Sequence, residues 1–260
     1  MISQALHFAG SARGDEKLSL KVLESLARQR DQDARDRCYD VLKALPSECF
    51  VIIDESSIDR RTLRRRRGWA PVNKPARLYE LFTVPGAGLR SLIAAVNSEG
   101  FVLPACKLLH DGVTDEALYE WAEECLIPIL NPFDHDNPKK NSILVLDNAV
   151  IHHSPSFVSL LDSTKCLVIY LSPYSPDLSA VEPCFHQVKQ HMRRNRAEAA
   201  VDLDRALFAA MAAVTPTNMR GYFRMCGYRR PRDEVEDMLR DEMEDIAVLP
   251  PSKCHFVPPA

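Results

Sequence analysis

The stretch ILVLDNAVIHHSPSFVSLLDSTKCLVIYL, residues 143–171, decides the fold. ILVLD (143–147) is an unbroken apolar run closed by an acid, as expected of a strand buried on both faces. SPSFVSLLD (154–162) can form a short helix, and CLVIYL (166–171) is another buried strand. Strand, helix and strand in that order form a crossover unit whose helix must cover one face of a parallel pair.

Upstream, FVIID (50–54) repeats the form of ILVLD: apolar residues, then an acid. Between the two lie YELFTV (79–84), SLIAAVN (91–97) and FVLPACKLL (101–109), punctuated by Gly86, Gly88 and Gly100 as antiparallel hairpins require. Three- and four-residue apolar spacing predicts helices over 18–30, 36–45, 115–130 (with Thr114 as N-cap), 203–213 and 217–226. A further amphipathic helix spans 179–194, with Pro183 tolerable only in its first turn. Hairpin strands followed by alternating strands and helices give an α/β fold. We expect a mixed five-stranded sheet flanked by helices, with short helical N-terminal and C-terminal extensions, an order found in ribonuclease-H-like folds. The expected divisions are a helical lead-in (1–48), a catalytic domain (49–230) and an acidic, Pro-rich, largely disordered tail (231–260).

Composition narrows the class. No apolar run approaches the roughly 20 residues needed to cross a bilayer, and residues 1–30 lack a signal-peptide core, so neither a membrane nor a secreted protein is expected. Eight cysteines, none spaced C-x-x-C and several inside apolar runs, read as reduced thiols in cytosol or nucleus. The net charge of −3 conceals a separation: residues 233–245 hold eight acids and one base, while RRTLRRRR (60–67) and KQHMRRNR (189–196) are basic. Such clusters suit a polyanion, although each alone could be a solvated face or an import signal.

Asp54 and Asp147 each end a buried strand, and Glu182 opens the helix after the third one. Ligands of open sheets gather beyond such strand ends. Acids gathered there without cysteine or a histidine pair suit Mg²⁺ or Mn²⁺, and two such ions drive in-line phosphodiester displacement. Structural alternatives stand beside this. Asp54 could be a turn residue, Asp147-Asn148 an Asx turn, and Ser179 to Glu182 an S-x-x-E capping box.

FVIIDESSIDR, ILVLDNAVIHHS and YLSPYSPDLSAVEPCFHQVKQHMRR together resemble the three catalytic blocks of the DDE superfamily, specifically mariner-type transposases. Thirty-four residues separate Asp147 from Glu182, a spacing typical of one branch of that group. GWAPVNKP (68–75) and GYFRMCGY (221–228) extend the resemblance to roughly 50–228. It implies that Asp54, Asp147 and Glu182 are catalytic and bind two Mg²⁺ (or Mn²⁺) ions, with Asn148, His152 and Tyr174 arranged around them. It also implies double-stranded DNA, transposon ends and target, as partner. DNA contacts are expected from Arg60, Arg61, Arg64, Arg65, Arg66 and Arg67, and from Lys189, Arg193 and Arg194 on the Glu182 helix. A homodimer and a nuclear location (cytoplasmic if inactive) are consistent with it. The chain departs from the family pattern at Ser172, Ser179 and Ala180, where Pro, Asn and Pro are usual. Only 53 residues precede Asp54, so a copy lacking the end-reading helix-turn-helix modules is expected. The rival expectation is a catalytically inactive, transposase-derived nucleic-acid-binding or interaction protein.

Overall fold

The computed structural model describes residues 31–59, 62, 69–77 and 90–228. The helix expected over 18–30, the strand over 79–84, the arginines 60, 61 and 64–67, and the tail lie outside the described residues.

Six strands form one sheet: β1 (Phe50–Ile58), β2 (Arg90–Asn97), β3 (Gly100–Phe101), β4 (Lys107–Leu109), β5 (Ile143–Leu146) and β6 (Leu167–Tyr170). The order is β3-β2-β1-β5-β6, with β4 also paired to β2. β2 runs antiparallel to β1, β3 and β4, whereas β1, β5 and β6 are parallel. The sheet is therefore mixed, as the sequence predicts, with one strand more than the five expected. The run FVLPACKLL is interrupted by a 3₁₀ turn at Leu103–Ala105. Pro104 has no N–H to give a ladder, so the run yields two short strands.

Seven α-helices accompany the sheet among the described residues: α1 (Gln32–Ala44), α2 (Asp115–Trp121), α3 (Pro155–Thr164), α4 (Val181–Arg194), α5 (Arg196–Val201), α6 (Leu203–Ala212) and α7 (Pro216–Met225). Thr114 caps α2 as expected, its hydroxyl accepting from Ala117 N–H. The helix predicted over 115–130 does not continue to its end. It passes into a π turn (Ala122–Leu126) and a 3₁₀ turn (Ile127–Ile129) at Pro128, whose missing N–H cannot sustain the α ladder. Pattern reading passes over α5, too short to show an apolar period.

Strand alternation divides the core in two. Phe50, Ile52, Ile143 and Val145 face one side and pack with Val181, Cys184, Phe185, Val188 and Met192 of α4. Val51, Ile53, Leu144 and Leu146 face the other and pack with Leu118 and Trp121 of α2 and Phe157 and Leu161 of α3. α1 joins the first core through fully buried Leu42. Its Arg35 forks onto the carboxylate of Asp177, in the turn leading into α4. Residues 32–44 thus pack against the first core of the sheet.

GYFRMCGY closes α7. Gly227 has φ +89, which only glycine adopts freely, and a Cβ there would lie 2.1 Å from the Tyr39 ring. Tyr228 follows it into the core, edge-on to Phe50 at 4.9 Å. Gly227→Ala should cost about 1–2 kcal/mol in urea denaturation, mostly backbone strain, because the half-exposed Tyr39 can move aside.

Candidate active site

β1 and β5 are parallel, and Phe50, Val51 and Ile52 pair with Ile143, Leu144 and Val145. The same offset, carried two residues on, aligns Asp54 with Asp147. The two acids therefore leave neighbouring strands, about 4.8 Å apart, toward one face. That face is the one covered by α4. Glu182 is in the first turn of α4. Its carboxylate also gains from the helix's N-terminal dipole.

The capping-box alternative for Glu182 is not what the structure shows. Ala180, not Ser179, is the N-cap of α4, and no side chain caps it. Glu182 is exposed and lines a cleft of about 430 Å³ together with Asp54, Asp147, Asn148 and Tyr174. The Asx turn expected at Asp147 does form, Oδ1 accepting from Ala149 N–H at 3.0 Å. It leaves Oδ2 without a protein hydrogen bond among the described residues.

Charge on the two aspartates is set in opposite directions. Burial pushes the Asp54 carboxyl from an ordinary 3.8 up to about 7; Glu55, Asp147 and Glu182 add repulsion, and the Glu55 N–H at 2.7 Å only partly offsets this. Burial also works against Asp147, but His152 outweighs it through a hydrogen bond and positive charge, holding that carboxyl below its usual value.

His152 is fully buried, so it orients other groups and does not touch a substrate. Nδ1 lies 2.8 Å from Asp147 Oδ1, and Nε2 lies 3.1 Å from Glu55 Oε1. Burial alone would favour neutral imidazole, but the two carboxylates push its pKa up to about 10. Glu55 is the functional residue that sequence reading misses. Strand alternation gives only its face, away from Asp54 and toward the core side that receives the segment after Asp147; its partner is not marked in the sequence.

Asn148 Oδ1 accepts from His153 Nε2, and His153 stacks on Tyr170 at 4.5 Å. Tyr174 has a left-handed backbone (φ 56), which costs a non-glycine residue about 1 kcal/mol or more. The departures at Ser172, Ser179 and Ala180 cluster here. All three are buried, and Ser172 Oγ has no hydrogen-bond partner. Lys189 and Arg193, seven and eleven residues beyond Glu182, continue its stripe of α4 about 10 and 16 Å along the axis. Lys189 lies over the Phe185 ring, and Arg193 Nε donates to the Thr62 carbonyl at 2.8 Å. Arg194 is exposed.

No three acids, histidines or cysteines among the described residues gather tightly enough to ligate one ion together. In kind, the donors fit a hard divalent cation. Three carboxylates face one cleft, no lysine or arginine among the described residues lines it, and Asp54 is raised first by burial and then by repulsion from the neighbouring acids.

A helix-backed mixed sheet places Asp147 just past the end of β5 and Asp54 beside it within β1, which runs on to Ile58 and does not end at the acid as the sequence predicts. The arrangement is that of a nuclease-type α/β domain. The family model described as "DDE superfamily endonuclease" matches residues 49–204, and the chain belongs to that family. Among solved structures, it is similar to the Mos1 strand transfer complex, at 16% identity and TM-score 0.54 over 86% of this chain and 66% of that one. It is also similar to the Mos1 transposase paired-end complex with left transposon end (15%, 0.52, covering 87% and 71%). A third is the Mos1 mariner paired end complex with Mn (16%, 0.51, covering 86% and 70%). The chain spans about two thirds of the length of the first of these. At such identities the likeness is one of fold, and that fold is ribonuclease-H-like. No curated protein sequence matches the chain.

His152→Ala would strand Asp147 and Glu55 without their shared counter-charge. Both acids are partly exposed, so a loss of about 1–3 kcal/mol is expected in urea denaturation at pH 7. His152→Gln, whose amide N–H can still donate to one of the two carboxylates, should lose less.

Proposed function

We propose that this chain is the catalytic domain of a mariner-type transposase, a metal-dependent enzyme that cuts DNA and joins the cut strand to a target. The observation carrying this reading is the register of β1 against β5, which aligns Asp54 with Asp147 on the face where α4 presents Glu182. Similar structures are described as transposase complexes with transposon ends, one of them with Mn.

Asp54, Asp147 and Glu182 would hold two divalent ions, Mg²⁺ or Mn²⁺. When bound, these supply a lowered water or 3′-hydroxyl pKa and stabilise the leaving oxygen. The chain's own residues do the rest. His152, braced by Glu55, keeps Asp147 ionised and fixes its carboxylate. Asn148 and Tyr174 shape the cleft wall. Lys189, Arg193 and Arg194 continue along α4 to meet phosphates, a role the arginines at 60–67 would share. Such contacts position DNA without reading its sequence. A paired assembly and nuclear action accord with this reading.

Asp147→Ala tests it. With Mn²⁺, the unaltered chain should nick supercoiled DNA and the variant should not, while both retard DNA equally in gel shifts. Failure of the unaltered chain to cleave would leave the nucleic-acid-binding relic as the better account.

Asp54→Asn should trade stability against activity. The folded carboxyl titrates near 7 and the unfolded one near its ordinary 3.8, so ionised Asp54 lowers stability above pH 7. That cost fades as pH falls from 7 to about 4. In EDTA at pH 8 the variant should be stabler by about 1–2 kcal/mol, with no advantage below pH 4 and no cleavage at any pH. Melting curves at pH 8 and below pH 4 check the sign.

A further inference from the structure

Tyr174 stands in a place that holding ions does not require. Its backbone lies in the left-handed region, which an aromatic residue adopts at a cost. Its side chain is 58% exposed, and among the described residues its ring meets no other ring and its hydroxyl no hydrogen-bond partner. Packing within the fold therefore returns nothing for that cost. Yet the residue lines the same cleft as Asp54, Asp147 and Glu182. Strained, exposed residues of this kind gather where a ligand is to be met.

The cleft wall around Tyr174 has its own character. Ala149, Leu171, Pro173 and Pro176 line it, and Val150, next in the chain to Ala149, is 88% exposed. Apart from the three acids the lining is uncharged, apolar residues alternating with Ser172, Ser175 and Ser179 around the exposed aromatic ring. A phosphodiester held by the acids brings its own nucleoside onto that lining. Beside the phosphodiester site this lining offers a ring to match a base face.

We propose that Tyr174 is a stacking platform for the nucleobase adjoining the scissile phosphate, so that the cleft takes DNA unpaired at that point. A base within a duplex is stacked on both faces and cannot lie on the ring until it leaves the helix. The proposal rests on the reading of the acids as a phosphodiester site, and it makes the preferred substrate an overhang or frayed end.

The test uses the full chain and a duplex with a short unpaired 3′ overhang, bearing one 5-iododeoxyuridine in the overhang. Binding is read by fluorescence anisotropy in Ca²⁺, and near-ultraviolet crosslinks are mapped by mass spectrometry. Tyr174→Phe should bind the overhang as the unaltered chain does. Tyr174→Ala should bind it about tenfold more weakly, the loss typical of one stacked base, and bind blunt duplex unchanged. Tyr174→Gly relieves the backbone, so its melting temperature should not fall, yet it should lose the same affinity. The photo-adduct should fall on Tyr174. Equal overhang binding by Tyr174→Ala, an adduct only elsewhere, or no binding of overhang DNA by the unaltered chain would each overturn the platform. Cleavage in Mn²⁺, measured in parallel, separates the two readings. A chain that stacks but never cuts refutes the nuclease and keeps the platform, and one that cuts while Tyr174→Ala binds normally refutes only the platform.

Discussion

Two carboxylates leaving adjacent parallel strands at the same register cannot move apart without breaking the sheet. β1 and β5 are locked by backbone hydrogen bonds and by fully buried Phe50, Ile52, Ile143 and Val145 beneath the acids. Repulsion between Asp54 and Asp147 is therefore built in, and side-chain rearrangement relieves it only in part. Asp54 shows the consequence, with a carboxyl that burial and three neighbouring acids push up to about 7. Sites with this imbalance are stabilised by binding positive charge, so the core determines what the cleft can hold.

The protein answers the repulsion at one aspartate only. His152, fully buried and set between Asp147 and Glu55, supplies a fixed positive charge on the far side of Asp147 from the cleft. Asp147 is thereby held ionised, while burial and the neighbouring acids oppose ionisation of Asp54. The arrangement gives adjacent acids different tasks from one scaffold, in the manner of paired carboxylates whose surroundings separate their pKa values. It also ties the loop after β5 to β1, because removing the imidazole leaves two acids facing each other.

Legibility in the sequence followed from how local each cause is. β1 and β5 were readable because burial on both faces forces continuous apolar runs, against which the acid closing each run stands out; β6, at the sheet edge and mostly half-buried, carries an apolar run as well. α4 was readable from its 3.6-residue period. Pro104 and Pro128 stand in plain view, yet whether a proline breaks a strand into two or turns a helix into π and 3₁₀ pieces depends on what packs against it. Glu55 was hidden for a different reason: its role needs a partner 97 residues away, and nothing in ESS marks that partner. The same holds for Arg35 and Asp177, 142 residues apart, whose pairing binds α1 to the turn before α4. Non-local charge pairs leave no periodic trace, and sequence pattern alone does not reveal them.

That turn explains how Glu182 arrives at the cleft at all. β6 ends at Tyr170 and α4 begins at Val181, so ten residues must bring the chain back across the strand ends. They do so through the 3₁₀ turn Pro176–Leu178, with Leu178 buried below and Asp177 held by Arg35 above. No side chain caps α4. The absence of a cap has a chemical benefit. In a capping box the carboxylate of Glu182 would reach back to its own backbone, and here it is free to face the cleft. The first turn of α4 is held instead by the Glu182 N–H donating to the Ser179 carbonyl, by buried Ala180 and Val181, and by the Arg35–Asp177 pair in the turn before it.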